Sequence, residues 1–253
     1  MATDHNGSLS RPASDWREEY LRRYYSDRTG DQWPNIVRRH LLQDVRVLEI
    51  GGGPVEWTTG MLRERAAEVV GIDIDPLVRD NRLLDEAIVY DGGTFPFPDG
   101  RFDLAISRWV NEHLPDPGLH FHEVARVLAP GGLYVFRTVN LFHYKTIGAK
   151  LVPPRIQVPL VRWLAHMDAD LHDPYPTYYR ANTRRRIQAL CKETGLRPLS
   201  IEMSESYPWY GKAFKALFIL FMGYERLVNS SDRFEGLRHT MDCVLEKPLR
   251  AEG

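Results

Sequence analysis

The run Val47-Leu48-Glu49-Ile50 is largely apolar and stops abruptly in Gly51-Gly52-Gly53-Pro54, as a buried parallel strand does where its backbone turns tightly. Glycines have no Cβ, so a ligand can approach the main chain at that turn. A second run, Val69-Val70-Gly71-Ile72, ends in Asp73, 22 positions after Gly51. In a doubly wound sheet an acid at that point stands beside the glycine turn, where it can accept hydrogen bonds from a ribose diol. The two runs together predict a site for a nucleoside-bearing cofactor.

The spacing also discriminates between cofactors. A dinucleotide fingerprint that starts at Gly51 needs glycine at position 56, where this chain has Glu56. A carboxylate there opposes a pyrophosphate, which binds at a helix N-terminus because that end is electropositive. S-adenosylmethionine has no phosphate, carries a sulfonium cation and tolerates nearby acids. A nicotinamide-dependent oxidoreductase is the rival reading, and it also lacks support from a Tyr-x-x-x-Lys pair after the fourth strand. A binding module that keeps the fold without catalysis is the second rival.

The elements that must position these residues alternate between strand and helix. Strands are predicted at Val45 to Ile50, Glu68 to Ile72, Ala87 to Tyr90, Phe102 to Ser107 and Leu133 to Val139. Helices are predicted at about Val55 to Arg65 and Pro117 to Leu128, the latter ended by Pro130-Gly131-Gly132, with a helical turn opening at Pro76. A further helix over Thr183 to Glu193, stopped by Gly195, leads to strands at Leu199 to Ser204 and Arg238 to Glu246. The expected architecture is α/β, a doubly wound, mostly parallel seven-stranded sheet with two insertions over its carboxyl edge. Both insertions follow parallel strands, and that edge is where open α/β sheets bind ligands.

The stretch from Val45 to Phe136 resembles the class I S-adenosylmethionine-dependent methyltransferases, in particular the small-molecule, type 11-like group. Four blocks carry the resemblance in order: VLEIGGGP, VVGIDID, DGGTFPFPDGRFD, and LAISRWVNEHLPDP followed by EVARVLAPGG. The resemblance implies that Glu49, Gly51 and Gly53 surround the methionine part of the cofactor, that Asp73 binds the ribose hydroxyls, and that Ile74 lies against the adenine face. It also implies that Asp91 and Gly92 meet the adenine amino edge, and that Ser107 and Arg108 line the wall near the sulfonium. The bland alternatives are that Glu49 caps a helix, that Asp91 only initiates the Asp91-Gly92-Gly93 turn, and that Asp73 is a plain turn residue.

Five segments follow: a disordered lead over 1–14, an N-terminal helical cover over 15–42 broken around Gly30 to Pro34, a cofactor-binding core over 43–139, a substrate-region insertion over 140–182, and a C-terminal part of the core over 183–253 with a helical insertion at 206–236. In the resembling family such N-terminal helices pack on the sheet and close over the cofactor; covering an exposed sheet face is the simpler alternative.

The first insertion is dense in groups that hydrogen-bond hydroxyls or stack on rings. Methyl transfer from a sulfonium is an in-line displacement, so the protein must chiefly orient the acceptor. A hydroxyl acceptor also gains from a general base, for which histidine is suited. His143, just after the fifth strand, is the leading candidate and His113 the second, each with a structural role as the alternative; Tyr144, Tyr178 and Tyr179 are candidate acceptor contacts. No metal is expected, because the His and Asp residues of His166 to Asp173 alternate and would point apart in a loop. The segment Pro176 to Thr183 resembles methyltransferase-like proteins of bacterial polysaccharide or glycolipid assembly.

Phe214, Leu217, Phe218 and Phe221 fall at i, i+3, i+4 and i+7 and predict an apolar helical stripe. Three readings are open for it: burial against the first insertion, a homodimer interface, or peripheral contact with a membrane or lipid-linked substrate. A formal net charge of -1 over 253 residues argues against a nucleic-acid partner. Two distant cysteines fit a reducing, cytoplasmic setting, and the polar N-terminus lacks a signal-peptide core. The expected activity is methyl transfer from S-adenosylmethionine to a hydroxyl of a small or lipid- or saccharide-linked acceptor.

Overall fold

A computed structural model of the chain describes residues 16–25, 32–54, 56–153, 155–156, 159, 163, 175–206 and 214–249. Seven strands form one sheet: β1 (Arg46–Ile50), β2 (Glu68–Asp73), β3 (Glu86–Val89), β4 (Phe102–Arg108), β5 (Leu128–Val139), β6 (Arg197–Ser204) and β7 (Thr240–Glu246), in the order β3-β2-β1-β4-β5-β7-β6. β7 runs antiparallel to both β5 and β6, and the other neighbouring pairs are parallel. The strand order reverses between β1 and β4, which opens a crevice beyond the carboxyl ends of those two strands.

Helices cover both faces, so the strands are near-continuously apolar and alternate between two cores. Val47, Val69, Leu104 and Ile106 join Trp33, Ile36 and Val37 of α2 (Trp33–His40) and Met61 and Leu62 of α3 (Glu56–Leu62). Leu48, Val70 and Ala105, one residue along each strand, face Phe121 and Val124 of α4 (Pro117–Val127) and part of the C-terminal half of the chain. This is the period of two that a pleated strand imposes. The expected α/β class and seven-stranded topology match the observed one.

Two helix ends show the expected chemistry. Asp116 caps α4 by accepting from Leu119 N, and Pro117 occupies the first turn, where its missing N–H costs nothing. The helix over Arg184–Thr194, which supplies Ile187, Leu190 and Cys191 to the core, is capped by Thr183 and ends at Gly195 with φ 74°. The expected end of α4 needs correcting. The chain turns extended at Leu128, which pairs with Phe102, and Pro130-Gly131-Gly132 form an irregularity inside β5 rather than a helix stop. Gly132 leaves no room for a side chain there: a Cβ would stand 2.8 Å from Ala129 O.

Both insertions leave from one edge. Val139 at the end of β5 and Ser204 at the end of β6 both register with Thr240, the first residue of β7. The first insertion contributes α5 (Tyr144–Leu151); with the 184–194 helix as α6, the second contributes α7 (Lys215–Asn229). Tyr144 stacks on Phe221 at 5.2 Å and meets Tyr224 edge-on at 4.9 Å, which ties α5 to α7.

The N-terminal helical cover divides between two sites. α2, starting at Trp33 with Pro34 in its first turn, packs on the sheet, whereas α1 (Trp16–Tyr25) sets Trp16 and Tyr20 against Phe218 of α7. The anticipated stripe on α7 is only partly realised: Phe218 is buried, while Phe214 precedes the helix and is exposed. Among the described residues no helix is long and apolar enough to cross a membrane.

Candidate functional site

A cavity of about 200 Å³ lies at the crevice, bordered by Glu49 to Gly53, Thr58 and the four residues Ile106 to Trp109. The glycine turn has the backbone that requires glycine. Gly51 has φ 75° and donates to Ile72 O at 2.8 Å, while a Cβ on it would stand 2.4 Å from Val110 Cγ2. Gly53 has φ 44°, and the space where its Cβ would stand is open.

Asp73 closes the turn from the neighbouring strand. Its Oδ2 accepts from Gly53 N at 3.0 Å and its Oδ1 from Asp75 N at 2.9 Å. A carboxylate has about four lone-pair sites, so acceptor capacity is left for a ligand. Gly51 and Asp73 therefore stand at one edge, on adjacent strands. Ile74 is half exposed, and a Cβ on Gly92 would stand 3.6 Å from Ile74 Cγ2, so these two residues flank the same outer side of Asp73. Asp91 accepts from Gly93 N at 2.9 Å, the turn geometry of the bland reading, and its side chain remains exposed.

Glu49 has the most unusual electrostatics at the cavity. Its side chain is only 4% exposed, and burial pushes its carboxyl up to about 7 against the opposing hydrogen bond from the Thr59 hydroxyl. That hydroxyl donates to Glu49 Oε2 at 2.7 Å and accepts in turn from Asn81 Nδ2 at 2.8 Å. A carboxyl at that value is close to half-ionised at neutral pH.

Ser107 and Arg108 both border the cavity, as their position at the end of β4 suggested. The Tyr134 hydroxyl gives its single proton to Asn111 Oδ1 at 3.0 Å, so Ser107 Oγ at 2.9 Å and His120 Nε2 at 3.1 Å must both donate to it. Burial brings His120 down to about 4, which keeps it neutral. Ser107 is thereby left with acceptor capacity only. The Arg108 guanidinium lies 4.9 Å above the Trp57 ring.

Residues 175–180 cross this edge as a strap. Near the β2 tip, the Tyr175 hydroxyl donates to Asp75 Oδ2 at 2.6 Å. Beyond β4, Pro176 O lies 3.2 Å from His113 Nδ1, and Tyr178 N and Tyr179 N both donate to Glu112 O. Arg180 reaches Pro115 O. Because β1 lies between β2 and β4, the strap runs from the β2 tip to the segment after β4; His113, Tyr178 and Tyr179 lie along it but do not border the cavity.

His143 is placed elsewhere. Its ring is fully enclosed; Nδ1 accepts from Lys145 N at the start of α5, and Nε2 lies 3.0 Å from Glu205 Oε2. It does not border the cavity, and burial lowers its pKa despite the carboxylate. Tyr144 faces α7 instead of the cavity. His143→Ala is expected to remove a helix cap and leave Glu205 a buried partner short, at about 1–3 kcal/mol of stability. Urea unfolding would measure this; unchanged stability with slowed turnover would return His143 to the chemistry.

Sequence reading missed Trp109, Thr58 and Thr59. Trp109 borders the cavity with φ 59°, a conformation that costs a bulky residue about 1–3 kcal/mol. Its N–H donates to Arg137 O, and its ring lies over the Arg137 guanidinium, itself paired with Asp242 at 2.6 Å in the interior. Only its place immediately after β4 could have singled it out. The His166 to Asp173 segment lies outside the described residues.

Residues 48–136 match the family model of a methyltransferase domain. An uncharacterized methyltransferase of Mycobacterium sp. (strain JLS) is 38% identical over 93 residues, 35% of this chain and 36% of the relative. A ubiquinone biosynthesis O-methyltransferase of Alkalilimnicola ehrlichii is 33% identical over 108 residues, 39% of this chain and 43% of the relative. The chain thus spans less than half the length of these relatives. The solved structure of an S-adenosylmethionine dependent methyltransferase from Mesorhizobium loti superposes with a TM-score of 0.56 at 19% identity, over 85% of this chain and 97% of that one. At that identity the likeness is one of fold.

Proposed function

We propose that this chain, whose residues 48–136 match a methyltransferase domain, is a class I S-adenosylmethionine-dependent methyltransferase that transfers a methyl group to a hydroxyl of a small or lipid-linked acceptor in the cytoplasm. The observation that carries this reading is the Gly51-Gly52-Gly53 turn anchored to Asp73 beside a buried Glu49. The open space over Gly53 suits close approach of a ligand, and the Glu49 carboxyl suits a cation. The ubiquinone biosynthesis O-methyltransferase among the relatives supports oxygen as the acceptor atom.

S-adenosylmethionine supplies the activated methyl group on its sulfonium when bound. On this reading Asp73 accepts from the ribose hydroxyls, and Ile74 and Gly92 flank the base. Glu49, Gly51 and Gly53 hold the amino acid part, and Ser107 and Arg108 form the opposite wall. Tyr178, Tyr179 and Trp109 orient the acceptor, with His113, half-buried beside the strap, taking the hydroxyl proton. His113 suits this better than the enclosed His143.

Calorimetry with adenosylhomocysteine and with NAD separates the two cofactor classes: binding of the former alone is expected, and tighter NAD binding overturns the proposal. Turnover with a radiolabelled methyl donor over quinone, phenolic and glycan extracts separates an enzyme from a binding module.

The Glu49 carboxyl adds a pH dependence. Its folded value near 7 means that below that pH the site holds a proton which a cationic ligand must displace. S-adenosylmethionine affinity is therefore expected to weaken by up to about tenfold per pH unit below 7 and to level off above it. Glu49→Gln should flatten the profile. A flat profile in the unsubstituted protein would remove Glu49 from the cation's surroundings.

A further inference from the structure

The two insertions leave an apolar surface that the methyl-transfer reading does not use. On α7, Ala216, Leu220, Gly223 and Leu227 fall at i, i+4, i+7 and i+11, all exposed, with Leu220 65% and Leu227 54% accessible. The helix turns Phe218 toward α1 and Phe221 toward α5, so this stripe is the face left over. On α5, Ile147 and Leu151 repeat at i and i+4 and are exposed, Leu151 at 76%. Trp163, 57% accessible, meets Phe214 edge-on at 5.1 Å, joining the first insertion to the head of α7.

The charges have one sign over the parts of the insertions that carry this surface, although Asp168, Asp170 and Asp173 follow in the first insertion and Glu225, Asp232 and Glu235 in the second. From Val124 to Met167 the sequence holds no Asp or Glu, and none occurs from Ser206 to Tyr224, although the whole chain carries a net charge of -1. Lys150, Arg155 and Lys215 are exposed among the apolar residues, whereas Lys145 is enclosed with Glu205.

We propose that this surface docks on an anionic lipid bilayer, with the leucine stripe of α7 and the Ile147–Leu151 face of α5 seated at the headgroup boundary. Apolar and aromatic side chains interleaved with Lys and Arg, without acids, are what such an interface selects. A second copy of the chain fits less well. A two-fold interface sets one patch against itself, so Lys150, Arg155 and Lys215 would meet their own counterparts with no carboxylate from residues 124–167 or 206–224 to offset them. The proposal does not rest on the methyltransferase reading, but it places the sheet edge that carries the cavity beside the lipid.

The test is co-sedimentation of the full chain with vesicles of phosphatidylcholine alone or mixed with phosphatidylglycerol. Binding to the mixed vesicles, weakened by added salt, is expected. Leu220→Glu with Leu227→Glu should weaken it at least tenfold, and Lys150→Gln with Arg155→Gln about fivefold per cation. Circular dichroism checks the fold of each variant, and adenosylhomocysteine affinity should be the same in all. Three results would overturn the proposal: no binding to the mixed vesicles, equal binding by well-folded variants, or a solution dimer that the leucine substitutions dissociate.

Discussion

Asp73→Ala is expected to weaken adenosylhomocysteine binding by about 3 kcal/mol, roughly two powers of ten in Kd. Two losses combine. A ribose would lose a charged acceptor, and the turn would lose the carboxylate that accepts from Gly53 N and Asp75 N. The second loss loosens the main chain that is to face the rest of the ligand. Asp73→Asn retains one carbonyl acceptor and should fall between the two. Titration calorimetry checks this directly, and an unchanged Kd in Asp73→Ala would remove the residue from the site and, with it, the ribose contact on which the cofactor assignment depends.

Gly51→Ala should do comparable damage by a different route. A left-handed backbone at φ 75° costs a residue with a Cβ about 1–2 kcal/mol. The added methyl would also stand 2.4 Å from Val110 Cγ2, at the wall formed after β4, and relieving such overpacking costs about 1–3 kcal/mol. Loss of about 2–5 kcal/mol of stability with cofactor binding abolished is the expected result, read by thermal unfolding and calorimetry. Val110→Ala in the same chain should recover the steric part but leave the backbone part. If the double variant were no more stable than the single one, the close approach of these residues would be wrong.

Much of the fold was legible because its signals are local. Both faces of the sheet are covered, so β1, β2 and β4 read as apolar runs, and the glycines at the β1 tip declare a positive φ that other residues avoid. Thr183 and Gly195 announce the two ends of one helix through a side-chain cap and a left-handed residue. The boundary at Leu128 was illegible because helix and strand abut there without a loop. The pairing of Leu128 with Phe102, 26 positions earlier, decides where one stops.

The candidate site divides along the same line. The glycine turn and Asp73 are set by neighbouring strand tips in a familiar strand order, so their adjacency follows from sequence spacing once the sheet is assumed. Trp109 could not be read, because its left-handed backbone is sustained by Arg137, Asp242 and Trp33, which come from three other parts of the chain.

By itself the amino-acid order determined the α/β sheet, the crevice at its carboxyl edge and the acid beside the glycines, since period, glycine conformation and strand length act over a few residues. Tertiary structure alone decided that Glu49 is a carboxyl near neutrality, that His143 is enclosed against Glu205 while His113 meets the strap, and that one face of α7 stays uncovered. Those properties depend on how much water each group loses and which distant partner replaces it, and no local pattern encodes either.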